Sequence, residues 1–370
     1  MLIKDGAVMI NKNITFDLIK EKVYNNIRLT PEDALFLFKS PDLISIGELA
    51  DFKNFQINGN RVYFIVNIHI NYTNICINRC AFCAFYRKGK EADAYAMNIR
   101  EIIEYIKANY RTNNFKEAHI VGGLHPSIPY SFYPDMLREI KNEFPSLRIQ
   151  AFTAVEIDYL SNISGRPEKE VLLDLKQAGL DSLPGGGAEI FNPAVRKKLC
   201  PQKISGERWL HIHKTAHSLG IPSNASMLYG VKESYEDRVA HLDSIRLAQD
   251  ESGGFKSFIP FAFQPKNTAV KNSGLTSGYD DLKMLAVARL FLDNFKHIKT
   301  FFVNLGVNLA QVSLSFGADD FDGTLTEEKI SHDAGSTNPA GLSVKNVKKI
   351  IEETGKLPTE RDTLYNICFN

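Results

Sequence analysis

Three cysteines within eight residues constrain this chain more than any other feature. The stretch Asn71–Arg87 reads NYTNICINRCAFCAFYR and sets Cys76, Cys80 and Cys83 at the spacing C-x3-C-x2-C. It follows directly on the apolar run Val62–Ile70, which reads as a buried strand. Thiolates are soft ligands that suit zinc or an iron–sulfur cluster. Iron–sulfur sites usually carry four cysteines, so three leave one iron without a protein ligand and open to a substrate. Structural zinc is the alternative, with His69 or His125 completing a three-cysteine, one-histidine set. Disulfides suit an even cysteine set in a secreted chain. Here the opening MLIKDGAVMINKN lacks the apolar core and cleavage site of an export signal. Cys200 and Cys368 then read as unpaired thiols, and the expected compartment is a reducing cytoplasm.

A chain of 370 residues buries a large core and is long enough for one barrel with additions at its ends. Its 44 basic and 43 acidic residues leave a net charge of +1, so no nucleic-acid or membrane-surface partner is indicated. No apolar run approaches the roughly 20 residues of a membrane span.

Residues 14–55 read as short helices, with Thr30-Pro31-Glu32-Asp33 as a helix start. From Val62 short apolar runs alternate with longer helical patterns. The runs are VYFIVNIHI, EAHIVGG, LRIQAFTAV, LDSLPGGG, SNASMLYG, FKSFIPFAF, KTFFVNLG and VSLSFG. Eight runs with helices between most of them predict parallel βαβ units closed into a (β/α)8 barrel. The expected organisation is an N-terminal helical cap over 1–60, the barrel over 61–335, and a C-terminal helix and tail over 336–370.

Functional groups of such barrels gather at the C-terminal ends of the strands, and the candidates fall there. The second run ends in Gly122-Gly123-Leu124-His125, with His125 as an acid/base or ligand. The third ends at Thr153-Ala154-Val155-Glu156, whose carboxylate suits either ribose hydroxyls or an ammonium group, or an ordinary cap or salt bridge. The fourth ends in Gly185-Gly186-Gly187-Ala188-Glu189, whose backbone N–H groups can cradle a carboxylate. The sixth runs into Gln264, Asn267 and Thr268, and the eighth into the acidic loop holding Asp319. Thr324 with Glu327 also fits a helix-capping box.

The cysteine spacing, with Phe82 just before its last member, resembles the radical S-adenosylmethionine (SAM) superfamily. The wider set NYTNxCxxxCxFCAF, GGLHP, PGGGAEIF, CPxKISG, SNASMLYG, FxPxNT and FGADDxDGT resembles the aminofutalosine synthases of the futalosine route to menaquinone. The dehypoxanthine futalosine cyclases and deazaflavin-cofactor synthases share much of it. The resemblance implies a TIM-type radical SAM barrel with a [4Fe–4S] cluster on Cys76, Cys80 and Cys83, and SAM as co-substrate. It implies Phe82, Gly122, Gly123, Glu156 and Glu189 around that cofactor. Gly185, Gly186, Gly187, Lys203, Asn267 and Thr268 would sit on the substrate, and His125, Gln264 and Asp319 in catalysis. The implied substrate is 3-[(1-carboxyvinyl)oxy]benzoate, and the implied electron donor a flavodoxin or ferredoxin. One departure stands out: Gln264 occupies a place where the family pattern carries histidine.

Overall fold

Among the described residues three helices precede the first strand, each opened by a side chain that satisfies its free N–H groups. α1 (Phe16–Tyr24) is capped by Thr15, α2 (Pro31–Lys39) by Thr30 and α3 (Leu43–Asn58) by Asp42. Thr30 and Asp33 form a reciprocal capping box around Pro31, the start read from the sequence. The structure, a computed structural model, describes residues 14–271, 274–324 and 329–368. The N-terminal stretch read for an export signal and the capping partner Glu327 lie outside the described residues.

The run ahead of the cysteines forms β1 (Arg61–Ile65) and β2 (Asn67–Ile70), broken at Val66. There follow α4 (Ile99–Asn113), β3 (Glu117–Ile120), α5 (Phe132–Glu143) and β4 (Arg148–Ala151). Next come α6 (Ala154–Ser164), α7 (Glu168–Gln177), α8 (Pro193–Leu199) and α9 (Gly206–Ser218). β5 (Ser223–Tyr229), α10 (Tyr235–Ser252), β6 (Phe255–Ala262), α11 (Gly278–Phe291) and β7 (His297–Ile298) continue the alternation. The chain ends through α12 (Phe302–Leu305), α13 (Val307–Ser313), β8 (Asp320–Gly323), α14 (Ile330–Asp333), α15 (Val344–Glu352) and β9 (Leu357–Glu360).

Every strand pairing is parallel, in the orders β8-β1-β9, β2-β3-β4 and β5-β6-β7. Single bridges join the three sheets: Gln150 to Ser182, Leu183 to Ser223, and Lys299 to Asp320. With β1 and β2 as one interrupted strand, the ring closes through eight strand positions, which is the expected (β/α)8 barrel. α3 packs along α11, and α2 lies against α10 and α11, so the N-terminal helices cover one flank of that ring. No helix among the described residues is long and apolar enough to cross a membrane.

Several strand expectations are corrected. The fourth run contributes only Ser182 and Leu183, because Pro184 and the glycines turn the chain at once. KTFFVNLG leaves the sheet after Lys299 and coils into α12. VSLSFG lies in α13 and the turn after it, where Ala310, Ser313 and Leu314 are the buried positions. That i, i+3, i+4 spacing is helical. The eighth strand is Asp320–Gly323 instead. Thr153 and Glu156 form the capping box of α6 rather than a strand end.

The tail is part of the barrel and not an appendage to it. β9 pairs with β1 over Arg61–Phe64. The residues after it close the barrel's N-terminal end: Arg361 and Tyr365 both donate to Asp320 Oδ2 at 2.6 Å, and the Tyr365 ring stacks on His297.

Candidate active site

The cysteine loop leaves β2 at the open, C-terminal end of the barrel, and its backbone is tied from several sides. Arg87 donates to the carbonyls of Ala84, Phe85 and Tyr86 and pairs with Asp93 at 2.6 Å. Ile77 N–H donates to Leu124 O, and Ala81 N–H to Leu199 O. Cys76, Cys80 and Cys83 are all free thiols and all line one cavity of about 340 Å³, a size that suits a small-molecule ligand. Burial pushes the Cys80 thiol up to about 12 and raises that of Cys83. A metal there must displace protons as it binds.

Against the cysteine loop sit Gly122 and Gly123, with Glu156 behind them. Both oxygens of Glu156 are taken: Oε1 accepts from Tyr72 Oη (2.9 Å) and Gly122 N–H (3.1 Å), Oε2 from Thr153 N–H (2.7 Å) and Oγ1 (2.9 Å). Burial raises its carboxyl above the ordinary range while these donors pull it down. Glu156 therefore holds the glycine strand end in place. A Cβ on Gly123 would stand 2.3 Å from Ile75 O and 3.0 Å from Cys76 Cβ, so the glycine lets this wall meet the cysteine loop.

Gly185, Gly186 and Gly187 line the same cavity, the first two anchored by Ser226 Oγ on Gly185 O (2.6 Å) and Trp209 Nε1 on Gly186 O (3.1 Å). Glu189 pairs with Lys203 at 2.6 Å, and the Lys203 ammonium lies 5.1 Å from the Phe82 ring centre. Burial opposes the charge on Lys203, but Glu189 and the neighbouring Cys80 and Cys200 thiols hold its pKa above the ordinary range. Lys203, Glu189 and Phe82 thus form one group at the cysteine end. Gln264 also lines the cavity, its Nε2 donating to Asn304 O.

Four expected residues fall elsewhere. The His125 ring accepts Ser127 N–H and does not line the cavity, which the chain leaves after Leu124. Asn267 donates to Asp333 O and Thr268 to Pro265 O, beside a shallower hollow behind Cys83. Asp319 precedes β8 at the closed end of the barrel, fully buried between Arg289 and His297.

Residues that reading by motif missed come from the strands and their ends: Asn67, His119, Gln150, Asn224, Lys299 and Asp322 line the cavity, as does His69, named above only as a zinc ligand. They sit at alternating positions of otherwise apolar strands, a period-two signal visible in the sequence. The backbone adds another sign. Glu189 and Asp322, which line the cavity, both adopt positive φ, and such strain concentrates at functional sites.

Residues 70–245 match the Radical SAM superfamily, and residues 252–368 match the CofH/MqnC C-terminal region. An aminodeoxyfutalosine synthase of Thermus thermophilus is 47% identical over 94% of both chains. The chain belongs to the radical SAM superfamily. Its relatives carry more than one activity. A 5-amino-6-(D-ribitylamino)uracil–L-tyrosine 4-hydroxyphenyl transferase of Methanopyrus kandleri is 42% identical over 84% of this chain and 85% of its own. A cyclic dehypoxanthine futalosine synthase of Halalkalibacterium halodurans is 34% identical over 96% and 95%. The fold matches that of HydG, a maturase of the FeFe-hydrogenase, with a TM-score of 0.74 at 19% identity over 94% of this chain and 77% of that one.

Membership implies an iron–sulfur cluster and SAM, and the residues fit them. Three free thiols border one side of the cavity, and glycine backbone that lets a ligand approach borders another. Among the described residues no three His, Cys, Asp or Glu side chains converge as a single ion requires. The His125 ring is engaged by Ser127 and the His69 ring is stacked on His119. A larger group spanning the thiols suits this radical SAM enzyme better than one zinc.

Proposed function

We propose that this radical SAM enzyme is an aminodeoxyfutalosine synthase. The supporting observation is the 47% identity to such an enzyme along 94% of both chains, against 42% and 34% for the siblings. A [4Fe–4S] cluster on Cys76, Cys80 and Cys83 would supply the electron that splits SAM. The deoxyadenosyl group then adds to the enol-ether double bond of 3-[(1-carboxyvinyl)oxy]benzoate. Rearrangement onto the ring and loss of the acrylate carboxyl as CO2, which hands back the one electron, would give 6-amino-6-deoxyfutalosine for menaquinone synthesis, with methionine released from SAM. The electron donor in this reading is a flavodoxin or ferredoxin.

The chain's own work is to hold and to exclude water. Gly122 and Gly123, fixed by Glu156, offer backbone to the methionyl end of SAM. Phe82, Lys203 and Glu189 close the cysteine side, and the Gly185–Gly187 amides face substrate. Gln264 can donate and accept but cannot relay a proton at neutral pH, so it binds where histidine would titrate. The test is anaerobic incubation of reduced protein with SAM and the enol ether, followed by mass analysis. An adenosyl adduct that has lost one carboxyl supports the reading. Hydrogen abstraction, as in a cyclase sibling, would release free 5′-deoxyadenosine instead, and that as the sole product overturns it.

A further inference from the structure

Barrel interiors are usually packed with Val, Ile and Leu, yet below the cysteine loop this one is polar. Gln150 is its hub. Its Oε1 accepts from Asn224 Nδ2 (3.1 Å), Ser182 Oγ (3.2 Å) and Lys256 Nζ (3.2 Å), which leaves Nε2 to donate to His119 Nδ1 at 2.9 Å. Lys256 reaches this hub from a register irregularity between β5 and β6, the kind of device that re-aims a side chain.

The arrangement sets the tautomer of His119. With Nδ1 accepting, the ring proton sits on Nε2, and no described residue accepts it. Burial lowers the His119 pKa to about 4, so the ring is neutral near pH 7 and remains a one-proton donor. Lys299, buried and paired with Asp322 at 2.8 Å, lines the same cavity, and both charges act on the His119 ring. Asp322 is the one partner of Lys299 among the described residues, so two ammonium N–H groups stay available. Asp322 is held at φ 64°, a strained conformation that aims its carboxylate. Ile259, Phe261 and Phe301 supply apolar wall between this floor and the mouth.

We propose that His119 Nε2–H and the Lys299 ammonium form a carboxylate subsite that holds the ring carboxylate of an aryl-acid substrate, with its reacting end toward the cysteine loop. This deepens the functional reading above and rests on it for the identity of the acid. The two can fail separately, because the subsite is tested by binding and the function by turnover.

The probes are 3-hydroxybenzoate and 3-hydroxybenzamide, titrated calorimetrically into the reconstituted holoenzyme. Charge-assisted hydrogen bonds predict that wild type prefers the acid by about 10-fold or more. Lys299→Met and His119→Leu should each shrink that preference to about threefold or less, by weakening the acid and not the amide. Lys299→Arg and His119→Gln, which restore a donor, should recover it. A merely structural role would weaken both probes alike. Equal affinities in wild type overturn the subsite without any variant, and so does an undiminished preference in both loss variants at wild-type iron content. An acid preference that obeys these variants upholds the subsite even if the enol ether yields no adduct, an outcome that removes the functional reading alone.

Discussion

The two ends of the barrel bury polar groups for opposite purposes. At the closed end Arg289 meets Asp319 and Arg361 meets Asp320, with His297 and Tyr365 completing the set. Burial opposes the charge on Asp320, but Arg361 and Lys299 hold its carboxyl below the usual range. Each of these carboxylates is paired with a guanidinium of the chain itself. At the mouth Cys80 and Glu156 are pushed away from their charged forms, while Lys203 keeps its charge through Glu189, and all three border a cavity. A buried charge with a full set of partners fastens a fold, whereas perturbed groups around a hollow are poised for a ligand.

The strongest way to break this contrast is to empty each end in turn. Cys76→Ala, Cys80→Ala or Cys83→Ala should abolish both bound iron and SAM cleavage, from about four iron and four sulfide per chain. Cys200→Ala should keep its iron. Chemical analysis of anaerobic preparations decides it, and a need for Cys200 would contradict a three-thiol site.

At the closed end, Arg361→Leu should cost about 3–5 kcal/mol by leaving Asp320 buried and unpaired. Denaturant unfolding measures it. Iron per folded chain should not change, and a loss of iron without loss of stability would erase the distinction between the ends.

Acid tests a third region, the helical wall. Burial lowers His217 to about 4, His241 to about 3, and His213 well below its ordinary value. Their unfolded pKa is about 6.5, so between these values the unfolded chain binds more protons. This stability is complete above about pH 6.5 and is lost as pH falls through the folded values, by about 2 kcal/mol per histidine at pH 5. Thermal unfolding at pH 7 and pH 5 checks the sign. A flat profile would mean that these rings are already solvated.

The smallest effect is expected at Gly123. Valine there overpacks against Ile75 O and Cys76, at about 1–3 kcal/mol. Iron content should fall together with SAM affinity. Weaker SAM binding with intact iron would show that the loop yields without disturbing the thiols.

What was legible in the sequence follows from the range of each interaction. The cysteine loop could be read because its chemistry lies in adjacent residues, and the barrel because its short apolar runs recur between helices. Asp319 could not be placed by its neighbours, since its partners Arg289 and His297 are 30 and 22 residues away. Glu156 was singled out at the right turn but in the wrong element, although Thr153-x-x-Glu156 is itself a capping signature. The polar floor was passed over because each strand contributes only one or two of its residues, and only the closed ring brings them together.

The most direct test of the account follows the adenosyl carbons. Reduced holoenzyme is given SAM labelled in its adenosyl group together with 3-[(1-carboxyvinyl)oxy]benzoate, and the label is partitioned by mass analysis. Most of the consumed label is expected in a decarboxylated adenosyl adduct and little in free 5′-deoxyadenosine. All of it in 5′-deoxyadenosine, with the enol ether unchanged, would contradict the proposed function.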